Sequence, residues 1–459
     1  MAVGKRRRKH QGEFWIAAEE IPESPAHPFY SKLNQLLDRI GLDDHVEMMA
    51  APYYAEKMGR PSLPPGIYIR LLLVGYFEGI DSERGIAWRV ADSLGLRKFL
   101  GYSITQRTPD HSTISKTRRR LPKEFHDSVF TMVLELLAEE ELVKGKTIGI
   151  DASTMEANAA LRSIVRRDSG QSYTEFLTEL ARQSGIETPT REGLARLDKK
   201  RKRKGANDDW ENPHDPDAKI TKMKDGRTHF AYKPENAVDM ETGAIVAAEI
   251  HPANRGDTQS LADTLSEAVK ELEKVDQAVA QQLDMGKEVV ADKGTHSGPA
   301  LVELQQRGIR TYLSEPDRGR RKWTGRNVEE KQRKARERKA TYANRRRIRG
   351  ERGKRLLRRR GELLERTFAH LLDTGGMRRT HLRGRGNITK RYVVHAAAFN
   401  LGLVMRKLIG AGKPRWAVAA WLKLLLLLIG RVRPIRPDHS ATTNFRSTSL
   451  RLRASATLR

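Results

Sequence analysis

The stretch Thr147-Ile148-Gly149-Ile150-Asp151-Ala152-Ser153 decides how this chain of 459 residues is organised. It is a short apolar run of strand length, and the pattern before it is different. From about residue 28 to residue 143, apolar side chains recur every three to four positions, which is typical of helices, and no strand is evident. The sequence therefore predicts an all-helical domain at residues 28–144 and a second domain, with strands, that begins at residue 145.

Further strands and helices follow in the second domain. The runs typical of strands cover residues 228–238, 244–251, 287–292 and 309–313. The helical patterns between them cover residues 258–283 and 298–307. Strands that alternate with helices in this way predict a mixed α/β domain, which we place at residues 145–410.

Two polar insertions interrupt the α/β domain, at about residues 159–224 and 318–360. The second insertion contains 21 Lys or Arg and 4 Glu, so it carries +17 of the chain's formal net charge of +28. We also expect a basic flexible head at residues 1–27 and a tail at residues 411–459, with an apolar helix and a disordered basic end.

The composition excludes several classes of protein. The chain has no cysteine, which removes disulfides, thiolate metal sites and cysteine nucleophiles. An excess of 28 positive charges indicates a polyanionic partner, nucleic acid before membrane surface. The basic start lacks the apolar segment of a secretory signal, and the apolar run at residues 416–429 is too short to span a membrane, so we expect a cytoplasmic protein without membrane contact.

Two predicted strands end in a carboxylate. Asp151 follows the apolar run 148–150, and Asp292 follows the apolar run 289–291. A carboxylate at the end of one buried strand is more often a turn or cap residue, but a buried charge needs a cation nearby. Two such residues at neighbouring strand ends would make a hard-oxygen site suited to Mg²⁺.

A two-metal site for phosphoryl transfer usually needs one more carboxylate. The helical pattern after the arginine-rich insertion offers Glu365, which lies beside an apolar stripe, and Glu362, which lies one turn earlier. Spacing alone does not choose between them, and both also suit solvated positions on a helix.

Several ordered motifs resemble one known family. They are GIDAST (149–154), VVADKGTHS (289–297), ELLERTFAH (362–370), GGMRRTHLRGRGNITKR (375–391) and HAAAFNLGLVMR (395–406). Together they resemble the DDE transposases of bacterial insertion sequences, whose catalytic domain is ribonuclease H-like, in the same class as retroviral integrases. RPSLPPGIYIRLLL (60–73) and RTPDHSTISKTRRRL (107–121) resemble the helical domain that commonly precedes it.

The resemblance implies a catalytic triad of Asp151, Asp292 and Glu365 that binds two Mg²⁺ ions, with Mn²⁺ as a substitute. It also implies cleavage at the ends of a mobile element and strand transfer to target DNA, by a homodimer on double-stranded DNA at the bacterial nucleoid. Many members of the group carry Tyr, Arg and Lys around the Glu, but Arg358, Gly361 and Leu372 occupy those positions here.

Basic residues in several parts of the chain are candidates for DNA contact. A recognition helix that starts near Ser112, with Asp110 or Ser112 as its cap, would lie in the major groove, and the insertion at 318–360 would grip the backbone with little sequence preference. The selected DNA-binding residues are Lys116, Arg118, Arg119, Arg120, Lys293, Arg345, Arg346, Arg347, Arg358, Arg359, Arg366, Arg378 and Arg379.

Two other functions fit the same residues. One is a metal-dependent nuclease on the same fold that cuts DNA without joining it. The other is a non-catalytic DNA-binding relic of a transposase, which would bind tightly and show no Mg²⁺-dependent cleavage.

Overall fold

A computed structural model describes residues 27–55, 62–186, 188–201, 206–223, 226–279, 283, 285–317, 319 and 321–414. Most of the predicted head and the tail from residue 415 onward, including the apolar run at 416–429, lie outside the described residues.

The described chain before residue 145 is helical, as the periodicity predicts. Its helices are α1 (Pro28–Arg39), α2 (Leu42–Ala50), α3 (Pro65–Glu78), α4 (Glu83–Ala91), α5 (Leu94–Phe99), α6 (His111–Arg120) and α7 (Lys123–Glu139). The predicted start of α6 is confirmed, with Asp110 rather than Ser112 as the cap, because the Asp110 carboxylate accepts the backbone N–H of Ser112 at 2.7 Å.

The chain after residue 145 mixes strands and helices, and this confirms the mixed α/β prediction. The strands are β1 (Thr147–Ala152), β2 (Met155–Glu156), β3 (Val165–Arg166), β4 (Trp210–Glu211), β5 (Lys219–Lys222), β6 (Thr228–Asp239), β7 (Ile245–Pro252), β8 (Glu288–Ala291) and β9 (Arg310–Leu313). The helices are α8 (Tyr173–Gln183), α9 (Arg191–Lys200), α10 (Asp257–Val279), α11 (Gly298–Gln306), α12 (Val328–Arg349), α13 (Glu351–Phe368) and α14 (Arg385–Ile409).

The main sheet has its principal strands in the order β7, β6, β1, β8, β9. The pairs β7–β6 and β6–β1 are antiparallel, whereas β1–β8 and β8–β9 are parallel. The short strands β2 and β5 also pair with β6. Strand β1 therefore lies at the centre of the sheet, where antiparallel pairing changes to parallel pairing.

Helices cover both faces of the sheet. On β6, Lys233 donates to Ser260 of α10 at 3.0 Å, whereas Asn236 contacts Thr367 of α13 at 3.3 Å and Tyr392 of α14 at 2.8 Å. Because alternate residues of a strand point to opposite faces, α10 covers one face, and α13 and α14 cover the other. Strands of this sheet are therefore buried on both sides.

Buried asparagines connect both edges of the sheet to helices. On α14, Asn400 accepts the N–H of Ile245 at 2.9 Å and donates to its carbonyl at 2.8 Å. On α12, Asn344 makes the same pair of bonds to Leu313, at 3.0 and 2.8 Å. Both side chains are fully buried, so each satisfies backbone groups that an edge strand would otherwise leave unpaired.

Helix α14 joins the two halves of the chain. It packs on β7 and also on α3 and α7, and the buried apolar residues of both halves form one continuous cluster. Arg391, which is 3% exposed, donates to the carbonyls of Ile80 and Asp81, both at 2.6 Å. Among the described residues, α14 is the one helix long and apolar enough to cross a membrane, but 72% of its apolar window is buried inside the protein.

The arginine-rich insertion is helical. It contains α12 and the first part of α13, so the helix of Glu365 begins at Glu351, ten residues before the expected start. Arg and Lys have high helix propensity, and the Asn327 side chain accepts the N–H of Glu330 at 2.8 Å to cap α12. The other insertion, at about 159–224, contains α8, α9 and the short strands β3 to β5.

Candidate active site and nucleic-acid interface

The fold brings Asp151 and Asp292 together at the carboxyl ends of two adjacent strands. Ile150 on β1 lies opposite Ala291 on β8, and the two strands are parallel. The residues that follow them, Asp151 and Asp292, therefore lie at the same end of the strands and on the same face of the sheet. The two carboxylates therefore follow adjacent strands side by side, and their like charges are close enough to interact.

Asp151 is largely buried and forms an ion pair with an arginine side chain. Its Oδ1 accepts the backbone N–H of Ala152 at 2.9 Å, and its Oδ2 lies 2.6 Å from Nη2 of Arg360 on α13. Burial raises the pKa of the Asp151 carboxyl to about 6; the charge of Arg360 opposes that rise, and the charge of Asp292 adds to it. Sequence reasoning selected Arg358 and Arg359 and missed Arg360, which is the residue that meets the carboxylate.

Asp292 lies in a tight turn after β8. Its Oδ1 accepts the N–H of Gly294 at 2.8 Å, and its carbonyl accepts the Thr295 hydroxyl at 2.8 Å. A Cβ on Gly294 would lie 3.1 Å from that Oδ1 and 2.7 Å from Oδ2 of Asp257. Glycine at this position therefore lets two carboxylates approach the same point.

Asp257 is an acidic neighbour of Asp292 that is not among the site residues selected from the sequence. It is the first residue of α10, and its Oδ1 lies 2.6 Å from Nζ of Lys233, a buried residue of β6. Its position just after β7 put Asp257 near the expected active-site end of the sheet, but the local sequence favoured a turn or cap role, so the residue was not selected.

In the described part of the chain, Glu365 forms no metal-binding group with the two aspartates. Helix α13 turns Leu364 and Thr367 toward the sheet and leaves Glu365 exposed. Glu362 is also exposed, and it pairs with Arg366 at 2.5 Å. The structure therefore brings together two of the three predicted catalytic carboxylates.

The two aspartates fit a divalent metal ion. Carboxylate oxygens are the ligands that Mg²⁺ prefers, and the raised pKa of Asp151 reflects burial and a like charge that a bound cation would offset. Among the described residues, no group of three or more acidic or His side chains is arranged to hold one ion. The pair Asp151 and Asp292 therefore suits an ion that takes further ligands from water and phosphate.

One face of α6 presents positive charge to solvent. Lys116, Arg119 and Arg120 are exposed, which agrees with their selection for DNA contact. Arg118 differs from that expectation, because it is 7% exposed, pairs with Glu83 of α4 and approaches Asn387 of α14 at 3.5 Å. Its guanidinium holds the domain together and does not face outward.

Helix α12, in the basic insertion, packs at the end of the sheet where the two aspartates lie. Asn344 bonds Leu313, the last residue of β9, which lies beside the end of β8. Arg347 donates to the carbonyl and hydroxyl of Thr311 at 2.9 and 2.8 Å, and Arg345 makes two 2.8 Å bonds to Glu315. These arginines, both selected for DNA contact, anchor the helix.

The other selected basic residues stay at the surface. The exposed ones are Lys293, Arg346, Arg358, Arg359, Arg366, Arg378 and Arg379. Four of them have partners: Arg359 donates to the Glu241 carbonyl at 2.7 Å, Arg366 pairs with Glu362, Arg378 makes two bonds to Asp373, and Arg379 lies 3.5 Å from Glu156. A phosphate would therefore compete with existing contacts at these positions. His296, near Asp292, is 1% exposed.

Two family models match the chain. Residues 18–120 match the model described as a transposase domain (DUF772), and residues 203–401 match the model described as a transposase DDE domain. Asp292 and Glu365 lie inside the second match, whereas Asp151 precedes it. No curated protein and no solved structure matches the chain significantly.

Proposed function

Because the chain belongs to the DDE transposases of insertion sequences, we propose that it binds the ends of such an element, cleaves the DNA there and joins the ends to target DNA. The family implies an enzyme that acts on DNA. The observation that carries the finer proposal is the placement of Asp151 and Asp292 at adjacent strand ends, where a buried carboxylate with a raised pKa meets a second one.

The fold supports a ribonuclease H-like assignment for residues 145–410. The sheet is antiparallel on one side of β1 and parallel on the other, and helices cover both faces. The two aspartates follow the central strand and its parallel neighbour. The motifs that place Asp151, Asp292 and Glu365 in order along the chain support the same fold.

Asp151 and Asp292 would hold divalent metal, Mg²⁺ or Mn²⁺, and a two-ion site would need Glu365 to join them from its exposed position on α13. Such ions, when bound, activate water and then a 3′-hydroxyl for in-line attack on phosphorus. The protein's own contribution is to position DNA: the cations of α12 and α13 hold the backbone beside the two aspartates, because α12 is fixed to the end of β9.

Helix α6 is the element we assign to recognition of the element's ends. Its exposed cations Lys116, Arg119 and Arg120 share one surface with Ser112. The size and charge of this helix surface suit a major groove and its flanking phosphates. We propose a homodimer on double-stranded DNA at the nucleoid, since two ends must be cut together.

A strand-transfer assay tests this function. The full chain is incubated with Mg²⁺, duplexes that carry the ends of its own element and a supercoiled target, and cut and joined products are separated on a gel. We expect both products, and we expect Asp151→Asn and Asp292→Asn each to abolish both, whereas Asp168→Asn, on an exposed carboxylate of the insertion, keeps them. Cut ends without joined product would indicate the nuclease, and tight binding without either product would indicate the relic.

A further inference from the structure

The contact between Arg360 and Asp151 has a role that the metal site alone does not explain. We propose that Arg360 is a counter-ion which a divalent metal must displace from Asp151, and that the released guanidinium then binds a DNA phosphate. This inference rests on the proposed function, because it takes Asp151 as a metal ligand. It makes metal binding and DNA binding mutually dependent.

The first observation is that the guanidinium and a metal compete for the same oxygen. Oδ1 of Asp151 accepts the backbone N–H of Ala152 at 2.9 Å, and Oδ2 is the oxygen that Arg360 holds at 2.6 Å. The side chains of Arg360 and Asp151 are 15% and 23% exposed, so water screens this pair less than a surface ion pair. A metal ion that binds Oδ2 therefore repels the guanidinium of Arg360 and competes with it for this oxygen.

The second observation is that Arg360 is only partly satisfied where it lies. Its Nε is buried and has no hydrogen-bond partner among the described residues. A phosphate group offers several oxygens to the planar guanidinium and could accept from Nε as well as from the terminal nitrogens. The unfilled donor thus points to an anionic ligand beyond the carboxylate.

The third observation is the surroundings of Arg360 on α13. Arg355, Arg358 and Arg359 are exposed on the same helix, so a guanidinium that leaves Asp151 joins a surface which already attracts phosphate. DNA that binds there removes the competitor from Asp151. By thermodynamic linkage, DNA then tightens metal binding and metal tightens DNA binding by the same factor.

Metal affinity without DNA tests the competition. Mn²⁺ is titrated into the full chain, and free Mn²⁺ is followed by electron paramagnetic resonance. We expect Arg360→Gln to bind Mn²⁺ on the order of tenfold more tightly than the natural chain, since one charge-assisted hydrogen bond no longer competes. Arg355→Gln removes the same charge from the exposed face of α13 and should leave the affinity within about twofold.

Two further variants keep the result unambiguous. Arg360→Lys retains a cation that forms fewer bonds, so its affinity should fall between those of the natural chain and Arg360→Gln, and thermal melting establishes that each variant is folded. Asp151→Asn should lose the site. If Arg360→Gln binds no more tightly while Asp151→Asn loses binding, the metal site stands and the competition is wrong. If Asp151→Asn binds Mn²⁺ as before, the metal site is wrong and the inference falls with it.

DNA affinity tests the second half of the proposal. Fluorescence anisotropy of a labelled duplex is measured at constant ionic strength with and without Mn²⁺. We expect Mn²⁺ to tighten binding of the natural chain severalfold more than that of Arg360→Gln, which gains only the contact between the ion and phosphate because it has no guanidinium to release. An equal gain in both proteins would overturn the transfer of Arg360 to phosphate.

Discussion

Replacement of Asn344 by Leu should detach the basic helix α12 from the edge of the sheet. Asn344 is fully buried, and its amide makes both of its bonds, at 3.0 and 2.8 Å, to the backbone of Leu313. Leucine has a similar size but leaves one N–H and one carbonyl buried without partners. At about 1–3 kcal/mol for each group, we expect a loss of about 2–6 kcal/mol in the stability of this contact.

Hydrogen exchange followed by mass spectrometry measures this loss locally, since a chain of this size need not unfold in one step. Opening of α12 should become at least roughly thirtyfold more frequent, while peptides from β1 keep their protection. Lys339→Leu, at an exposed position of the same helix, should change stability by no more than about 0.5 kcal/mol. Unchanged protection of residues 328–349 in Asn344→Leu would refute the assignment of this contact as the anchor.

Three other properties follow from buried or exposed groups. Burial lowers the pKa of His126 from 6.5 to about 3, so below pH 6.5 the unfolded chain binds a proton that the folded chain does not bind. The free energy of unfolding therefore falls by about 1.4 kcal/mol for each pH unit below 6.5. His126→Met should flatten the acid-unfolding curve between pH 6.5 and 4.5, and an identical slope would contradict this. Gly149→Val would drive a Cβ into Met240 and should cost about 1–3 kcal/mol, read as a lower melting temperature. Lys116→Ala should reduce the slope of log K against log salt for DNA binding by about one phosphate contact. Arg118→Ala should instead lower the melting temperature and leave that slope unchanged. Equal slopes for the natural chain and Lys116→Ala would show that α6 is not part of the interface.

The sequence predicted the parts of the site that depend on short, local patterns. An apolar run of strand length that ends in Asp identifies both the strand and the side chain at its end, and this placed Asp151 and Asp292. Parallel pairing of β1 with β8 then puts the two residues side by side. The polar residues Asp81, Ser82 and Glu83 are likewise typical of a helix start, and Ser82 accepts the N–H of Gly85 at 3.2 Å.

The partners of the charged side chains on helices could not be predicted. Helices α6 and α13 carry Arg at consecutive positions, and although Arg360 lies in line with Leu356 and Leu364 on α13, no local pattern names the group that it meets. Arg118 is buried because Glu83, on another helix, meets it, and Arg360 turns inward because Asp151 lies there. Both partners are distant in the sequence, and their positions depend on the complete fold. The same limit applies to Glu365, which was placed by its motif and not by its helical face.

The proposed metal centre at Asp151 and Asp292 is tested most directly by diffraction. Crystals of the full chain with duplex DNA from the ends of its element, grown with Mn²⁺, are measured at a wavelength where manganese scatters anomalously. We expect an anomalous peak in contact with the carboxylates of both Asp151 and Asp292, and its loss in Asp151→Asn. A protein-bound peak elsewhere, with none at these two residues, would contradict the placement of the active site.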